Sequence, residues 1–320
     1  MADIVVTGGA GFIGSHLCDS LITEGHSVRA VDDLTTGRRE NLSHLLGHPD
    51  FQLIEADILK EGVLAESLAD AQVIYHLAAR VGVQRVLDSA LATIDDNTGC
   101  TREVADAALK SGAVLVYAST SEVYGRNEKV PFNEEDDLTL GPPHVGRWAY
   151  AASKILDEHY LLALAREKGL KVSIARLFNT VGPRQLPDYG MVLPRFASAA
   201  LRDEPLNIIG DGKQTRCFTW VGDAVRALQM LASNPKAKGQ VFNIGSCEES
   251  SILELGALVV NAAGSGRLEH VTPGSLGSNY ADMRRRVPDV SKIEKVLGWK
   301  AETPTEQIVA RTVEWWRTRI

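Results

Sequence analysis

The chain has 320 residues, 44% hydrophobic and 23% charged, ordinary globular values that argue against any long disordered tract. A net charge of −7 gives no support to a nucleic-acid-binding face, so an anionic ligand has to be held by local arginines and helix ends. No apolar run approaches the ~18 residues of a membrane helix, the four cysteines form no C-x-x-C pair, and the eight histidines lack metal-ligand spacing. Reduced thiols in a cytoplasmic protein, with no metal and no membrane partner, are expected.

The N-terminal Met1–Val6 runs directly into an apolar strand without a charged and then apolar leader, so no signal peptide is expected. Strands are predicted at 4–7, 27–32, 52–55, 73–76 and 113–119, with further strands at 172–177 and 241–244. Amphipathic helical stretches lie between them, at 15–24, 97–110 and 149–167. Short apolar runs alternating with helices of this length indicate βαβ units, and right-handed crossovers make a doubly wound parallel sheet the default topology.

After Asn179 the texture changes, with Gly182-Pro183, Leu186-Pro187, Glu204-Pro205 and Gly210-Asp211-Gly212 breaking the chain into loops and short elements. The α/β fold is therefore expected to have two parts. Residues 1–178 and 218–245 form a nucleotide-binding domain, and 179–217 with 246–320 form a smaller substrate-binding lobe.

Three motifs carry chemistry. Thr7–Gly14 follows the first strand and opens a helix, with Gly8, Gly11 and Gly14 in a G-x-x-G-x-x-G spacing. Gly8 permits the tight turn, Gly11 the close approach of a pyrophosphate, and Gly14 close helix–strand packing, while Phe12 and Ile13 start the helix whose N-terminus faces the diphosphate. Asp32 ends the second strand, where a carboxylate accepts hydrogen bonds from an adenosine ribose and repels a 2′-phosphate, which favours NAD over NADP. Asp57, beside Ile58, is placed either to meet an adenine edge or to cap a helix.

Tyr150 and Lys154 are four apart on one helix face. A phenol titrates near ~10, so the lysine ammonium and a positive nicotinamide are expected to favour the phenolate. In an acidic chain, Arg216 and the run Arg284-Arg285-Arg286 also stand out as candidate bidentate partners for a second diphosphate.

With Leu77-Ala78-Ala79, Ala118–Gly125, Arg176–Pro183 and Gly210–Arg216, these motifs resemble the extended short-chain dehydrogenase/reductases, specifically the NAD-dependent sugar-nucleotide epimerase, dehydratase and decarboxylase group, over essentially the whole chain. The resemblance implies a Rossmann-type fold, a resident NAD, and a 4-keto sugar intermediate. Tyr150 would be the base for the sugar 4-hydroxyl, Lys154 its partner and Thr120 a hydrogen bonder to the 4-oxygen. It also places Asn179 on the sugar side, and Arg216 with Arg284 or Arg286 on the diphosphate. Arg184 would serve either a sugar carboxylate or merely the surface. Relatives pair through a four-helix bundle, so a homodimer is expected.

The branch depends on what acts after the ketone forms. Ser121 stands where a dehydratase would carry an acid, and a hydroxyl is a weak donor for expelling water. Glu122 and the stretches around Ala118–Gly125, Gly37–Ile54, Gly212–Arg216, Arg286–Asp289 and Arg147 look like those of UDP-glucuronate decarboxylases (UDP-xylose synthases). Ala151-Ala152-Ser153 and the loop Arg80-Val81-Gly82-Val83 look more like those of a UDP-hexose 4-epimerase. Decarboxylase is the leading expectation, with 4-epimerase its alternative. A dehydratase stands behind both, as does a non-catalytic NAD-binding protein, a class that commonly loses the tyrosine or lysine.

Overall fold

The computed structural model describes residues 1–60, 62, 67–68, 70–82, 86, 88–187, 191–272 and 285–320. Its centre is a parallel sheet of seven strands: β1 (Asp3–Thr7), β2 (Ser27–Asp32), β3 (Phe51–Glu55), β4 (Val73–His76), β5 (Val114–Thr120), β6 (Lys171–Leu177) and, late in the chain, a strand at Gln240–Ile244. The spatial order is β3-β2-β1-β4-β5-β6 and then that last strand at the edge. The register is continuous, with Val5 opposite Arg29 on one side and Ile74 on the other.

Alternation along each strand decides which face each residue buries. Ile4 and Val6 of β1 pack with Leu17 and Leu21 of helix α1 (Phe12–Thr23). Val5 points the other way, into a core with Val104 and Ala108 of α2 (Ala90–Ser111) and Leu161 and Leu164 of α3 (Trp148–Lys168). Both faces are covered, which is why the strands read as continuous apolar runs. Each fully buried leucine or valine contributes about 1.5–3 kcal/mol.

Strand order reverses between β1 and β4, and the crevice at this switch point, beyond the carboxyl ends of the strands, is where open α/β sheets bind ligands. The predicted strands all form, within one or two residues of the expected bounds. Helix α2 begins seven residues earlier than expected, because the Ser89 side chain caps it by accepting from the Ala92 N–H.

The smaller lobe has its own core. Helix α4 (Val192–Leu201) contributes Leu193 and Phe196, and strand β7 (Pro205–Ile209) adds Leu206 and Ile208. A later helix at Ile252–Ala263 and the C-terminal helix at Thr305–Arg317 close it with Leu255, Val259, Ile308 and Val313.

One expected boundary needs correction. The stretch 289–301 does not join this lobe. Ile293 and Trp299 are fully buried with Ala224 and Leu228 in the first core, and the Trp299 indole donates to the Asp223 carbonyl. An indole of this size goes where both its apolar area and its N–H are satisfied. Trp315 and Trp316 stack edge to face at 5.1 Å, Trp316 lying against the smaller lobe's core. Among the described residues no helix is long and apolar enough to cross a membrane.

Candidate active site

A cleft of about 1190 Å³ opens at the switch point and runs from the glycine turn across the ends of β4 and β5 to the smaller lobe. That volume exceeds the ~300–1,000 Å³ of a single small-ligand pocket and suits two nucleotides end to end.

The dinucleotide half is built from β1, β2 and α1. Gly8 sits at φ +70°, and a Cβ there would lie 2.8 Å from the Ala78 nitrogen. A Cβ on Gly14 would collide with the Gly8 carbonyl oxygen. The sequence therefore needs glycine at both places: the first for the turn, the second for the helix–strand approach. Gly11 caps α1 without any side-chain bond, and Gly11, Phe12, Ile13 and Gly14 all line the cleft. An uncapped helix start of this kind offers backbone N–H groups and a positive dipole end to a diphosphate.

Asp32 is buried at the cleft wall, where it accepts from the Ala10 N–H at 2.9 Å and the Leu34 N–H at 2.9 Å. Burial holds its carboxyl above the ordinary carboxylate value, and these backbone donors oppose that. It thus fixes the glycine turn as well as facing the adenosine side. Asp57 lines the cleft with Ile58, and its carboxylate also caps a turn by accepting from the Leu59 N–H at 2.9 Å, so both of its expected roles are compatible with one position. Leu77, Ala78 and Ala79 form the floor. The residues present fit a dinucleotide.

The reacting end is built from β5 and α3. Thr120 ends β5 and accepts from the Glu122 N–H, and its hydroxyl favours the ionised form of Tyr150. Ser121 is buried at the cleft edge beside Glu122. Lys154 is 3% exposed and its ammonium donates to the Ala118 carbonyl at 2.9 Å. The Tyr150 phenol is held above its ordinary value, by burial first and then by the Glu122 charge, with only the Thr120 hydrogen bond opposing. The Lys154 ammonium, expected together with a cationic nicotinamide to favour the phenolate, is not among the causes of this shift. Lys154 faces the Ala118 carbonyl and the Tyr117 ring, and its own titration is pushed down to about 8, chiefly by burial. A cationic nicotinamide is the other expected source of lowering.

Behind these groups a buried network keeps β5, β6 and α3 in place. Glu158 accepts from Ser119 at 2.5 Å and pairs with Arg176 at 2.7 Å, and Arg176 also donates to the Tyr124 hydroxyl at 2.9 Å. Both members of the ion pair are 5% exposed.

The second-ligand half draws Asn179, Arg216 and Arg286 to the same cleft. Arg286 lies 4.0 Å from Glu122, which puts this guanidinium beside the end of β5. Arg184 is the exception: it is not among the cleft-lining residues, and its guanidinium pairs with Asp19 on α1 at 2.8 Å. The carbonyl oxygen of its neighbour Pro183 accepts from the His16 Nε2–H at 3.0 Å, so this loop is tied to the outside of α1. Arg284 and Val83 lie outside the described residues.

Arg195, Asn207 and Gln185 line the cleft and were not anticipated. Arg195 had a signal: it is the one charged residue in the helix Val192–Leu201. Asn207 had a similar one as the lone polar residue of Pro205–Ile209. Among the described residues no cluster of metal-ligating side chains occurs.

The family model described as NAD dependent epimerase/dehydratase family matches residues 4–245. The chain is 38% identical over 316 residues to a UDP-N-acetyl-alpha-D-glucosaminuronate decarboxylase of Bacillus cytotoxicus, covering 98% of this chain and 97% of the relative. It is 35% identical over 321 residues to a UDP-glucose 4-epimerase of Mycolicibacterium smegmatis, with 98% of each covered. Its fold is similar to that of UDP-glucuronic acid 4-epimerase from Bacillus cereus, solved with UDP-glucuronic acid and NAD. That structure gives a TM-score of 0.89 at 28% identity over 99% of this chain and 100% of that one.

Proposed function

The chain belongs to the NAD-dependent epimerase/dehydratase family, and from that premise we propose that it decarboxylates a UDP-linked glucuronate through a 4-keto sugar. The cofactor is NAD; Gly8, Gly11, Phe12, Ile13, Gly14, Asp32 and Asp57 would hold it, and it would supply the acceptor and donor for the hydride of the sugar ring carbon. Tyr150, whose phenolate Thr120 favours, takes the proton of the 4-hydroxyl. Once carbon 4 is a ketone, the carboxylate on carbon 5 is β to it. The bond between carbons 5 and 6 then breaks, its electron pair moves toward the 4-oxygen, carbon dioxide leaves, and carbon 5 takes up a proton.

The observation that carries this reading is the Arg286–Glu122 pair, 4.0 Å apart and two residues from Thr120. A guanidinium there binds a sugar carboxylate and stabilises the enolate as carbon dioxide leaves. Ser121 supplies no acid for expelling water, which sets dehydration aside. Similarity to a uronate decarboxylase over nearly the full chain agrees with the reading.

A second reading, 4-epimerisation, draws support from Val81 and Gly82, which line the cleft, and from Ala151 and Ala152, which put no charge beside the ring. The two separate by product. Incubation with UDP-glucuronate and, in parallel, UDP-glucose, followed by NMR, should give a UDP-pentose and carbon dioxide from the first. A 4-inverted product with every carbon retained would replace decarboxylation with epimerisation.

A further inference from the structure

Lys154 sits on a second layer of buried groups. Asp157, three residues later on α3, is 2% exposed and faces the sheet. The Tyr117 hydroxyl donates to its Oδ2 at 2.6 Å, and the Thr101 hydroxyl donates to the same oxygen at 2.9 Å. The Lys154 ammonium lies 4.4 Å from the centroid of that Tyr117 ring. A continuous line therefore runs from ammonium to ring face, from ring to phenol hydroxyl, and from hydroxyl to carboxylate.

We propose that Asp157 is a positioning residue for catalysis, the buried counter-charge that keeps Lys154 protonated by acting across the Tyr117 ring. The inference rests on the reading of Lys154 as the partner of Tyr150. An ammonium at this depth is driven toward its neutral form, because burial penalises charge. A carboxylate bonded to the phenol hydroxyl makes the ring face more negative and so a better seat for a cation.

The other groups facing Lys154 do less. Glu158 on α3 helps hold the ammonium but is already paired with Arg176 at 2.7 Å. Cys100 on α2 helps only if it ionises, and burial pushes its thiol up. His76 on β4 is pushed down to about 3 by burial and then by Lys154, so it carries no charge at neutral pH. Burial raises the Asp157 carboxyl, and Lys154, the hydrogen bonds from Tyr117 and Thr101, and Arg102 of α2 oppose that and favour its charged form. Asp157 ranks first among the groups that raise Lys154, against the burial that lowers it to about 8.

Both hydrogen bonds to Asp157 land on one oxygen. An amide oxygen can accept both, so Asp157→Asn removes the charge with little change in shape. The alkaline limb of the kcat–pH profile should move toward acid by about one pH unit, with KM and melting temperature nearly unchanged. Superimposable profiles overturn the proposal.

A second readout needs no turnover: competitive acylation of lysines across pH, with Lys154 located by peptide mass mapping in protein free of substrate. Wild-type Lys154 should lose its proton near pH 8, and the variant at lower pH; equal midpoints overturn the proposal. If the variant fails to fold, the wild-type midpoint decides alone, since a value far below 8 means that no counter-charge reaches the ammonium. Failure of every UDP-sugar to turn over would reject the functional reading and leave the acylation test standing.

Discussion

At the scale of single residues, the site depends on a phenol that the protein's own groups make a reluctant acid. Burial and the Glu122 charge both push Tyr150 up, and Thr120 alone pulls the other way. Tyr150→Phe should therefore lower the rate by at least ~100-fold, with fold and NAD binding retained; steady-state rates together with the absorbance of bound dinucleotide check this. Near-normal turnover would remove Tyr150 from the role of base.

Much of the site was legible at this scale. Gly8, Gly14, Asp32, Tyr150 and Lys154 stand at spacings that backbone geometry and helix periodicity impose, and they line the cleft together with Thr120, which the resemblance alone pointed to. Arg184 was not legible. A loop arginine's direction depends on the tertiary neighbour it meets, here Asp19 on a helix 165 positions earlier, since 184 − 19 = 165. The direction of the Tyr150 shift was hidden for a similar reason, because spacing reveals that Lys154 is near but not that its ammonium faces Ala118.

At the scale of elements, strands and helices are held together by buried polar groups as well as by apolar faces. His76 on β4 bonds the Thr7 hydroxyl of β1 at 2.7 Å and also reaches Thr101 of α2 at 3.5 Å. Burial lowers its titration from 6.5 to about 3. Between those values the unfolded chain holds one more proton than the fold, so stability rises with pH across that window and is lost as pH falls below 6.5. The loss should approach 1.4 kcal/mol per pH unit from this residue. Urea unfolding at several pH values should show the slope in wild-type protein and a flatter one in His76→Asn, even though the variant is less stable overall. Parallel slopes would place the acid sensitivity elsewhere.

The sheet was readable from the sequence because strands buried on both faces leave continuous apolar runs. The short pairs of the smaller lobe were not. Strand β7, for example, pairs in parallel with Arg267–Val271, more than fifty residues away, and the latter stretch does not alternate cleanly. Pairing of that kind is set by the core it closes, not by local pattern.

At the scale of the whole molecule, two lobes share one cleft, and the first lobe reclaims a late segment through Ile293 and Trp299. Outside the cleft, helices α2 and α3 pack against each other and leave Leu91 at 71%, Ile94 at 37% and Leu156 at 47% exposure. Large apolar side chains grouped on one helix pair suit self-association, in keeping with the proposed homodimer. Sedimentation at micromolar concentration should report twice the chain mass, and Leu156→Glu should shift the protein toward monomer. A wild-type monomer would contradict the dimer.

The central claim is that Tyr150 removes a ring hydroxyl proton so that the hydrogen on the same carbon passes to the bound dinucleotide and back. Single-turnover mass spectrometry with UDP-glucuronate deuterated at carbon 4 tests this most directly. The account predicts deuterium on the dinucleotide during turnover and its return to carbon 4 of the product. A dinucleotide that stays unlabelled while product accumulates would contradict it.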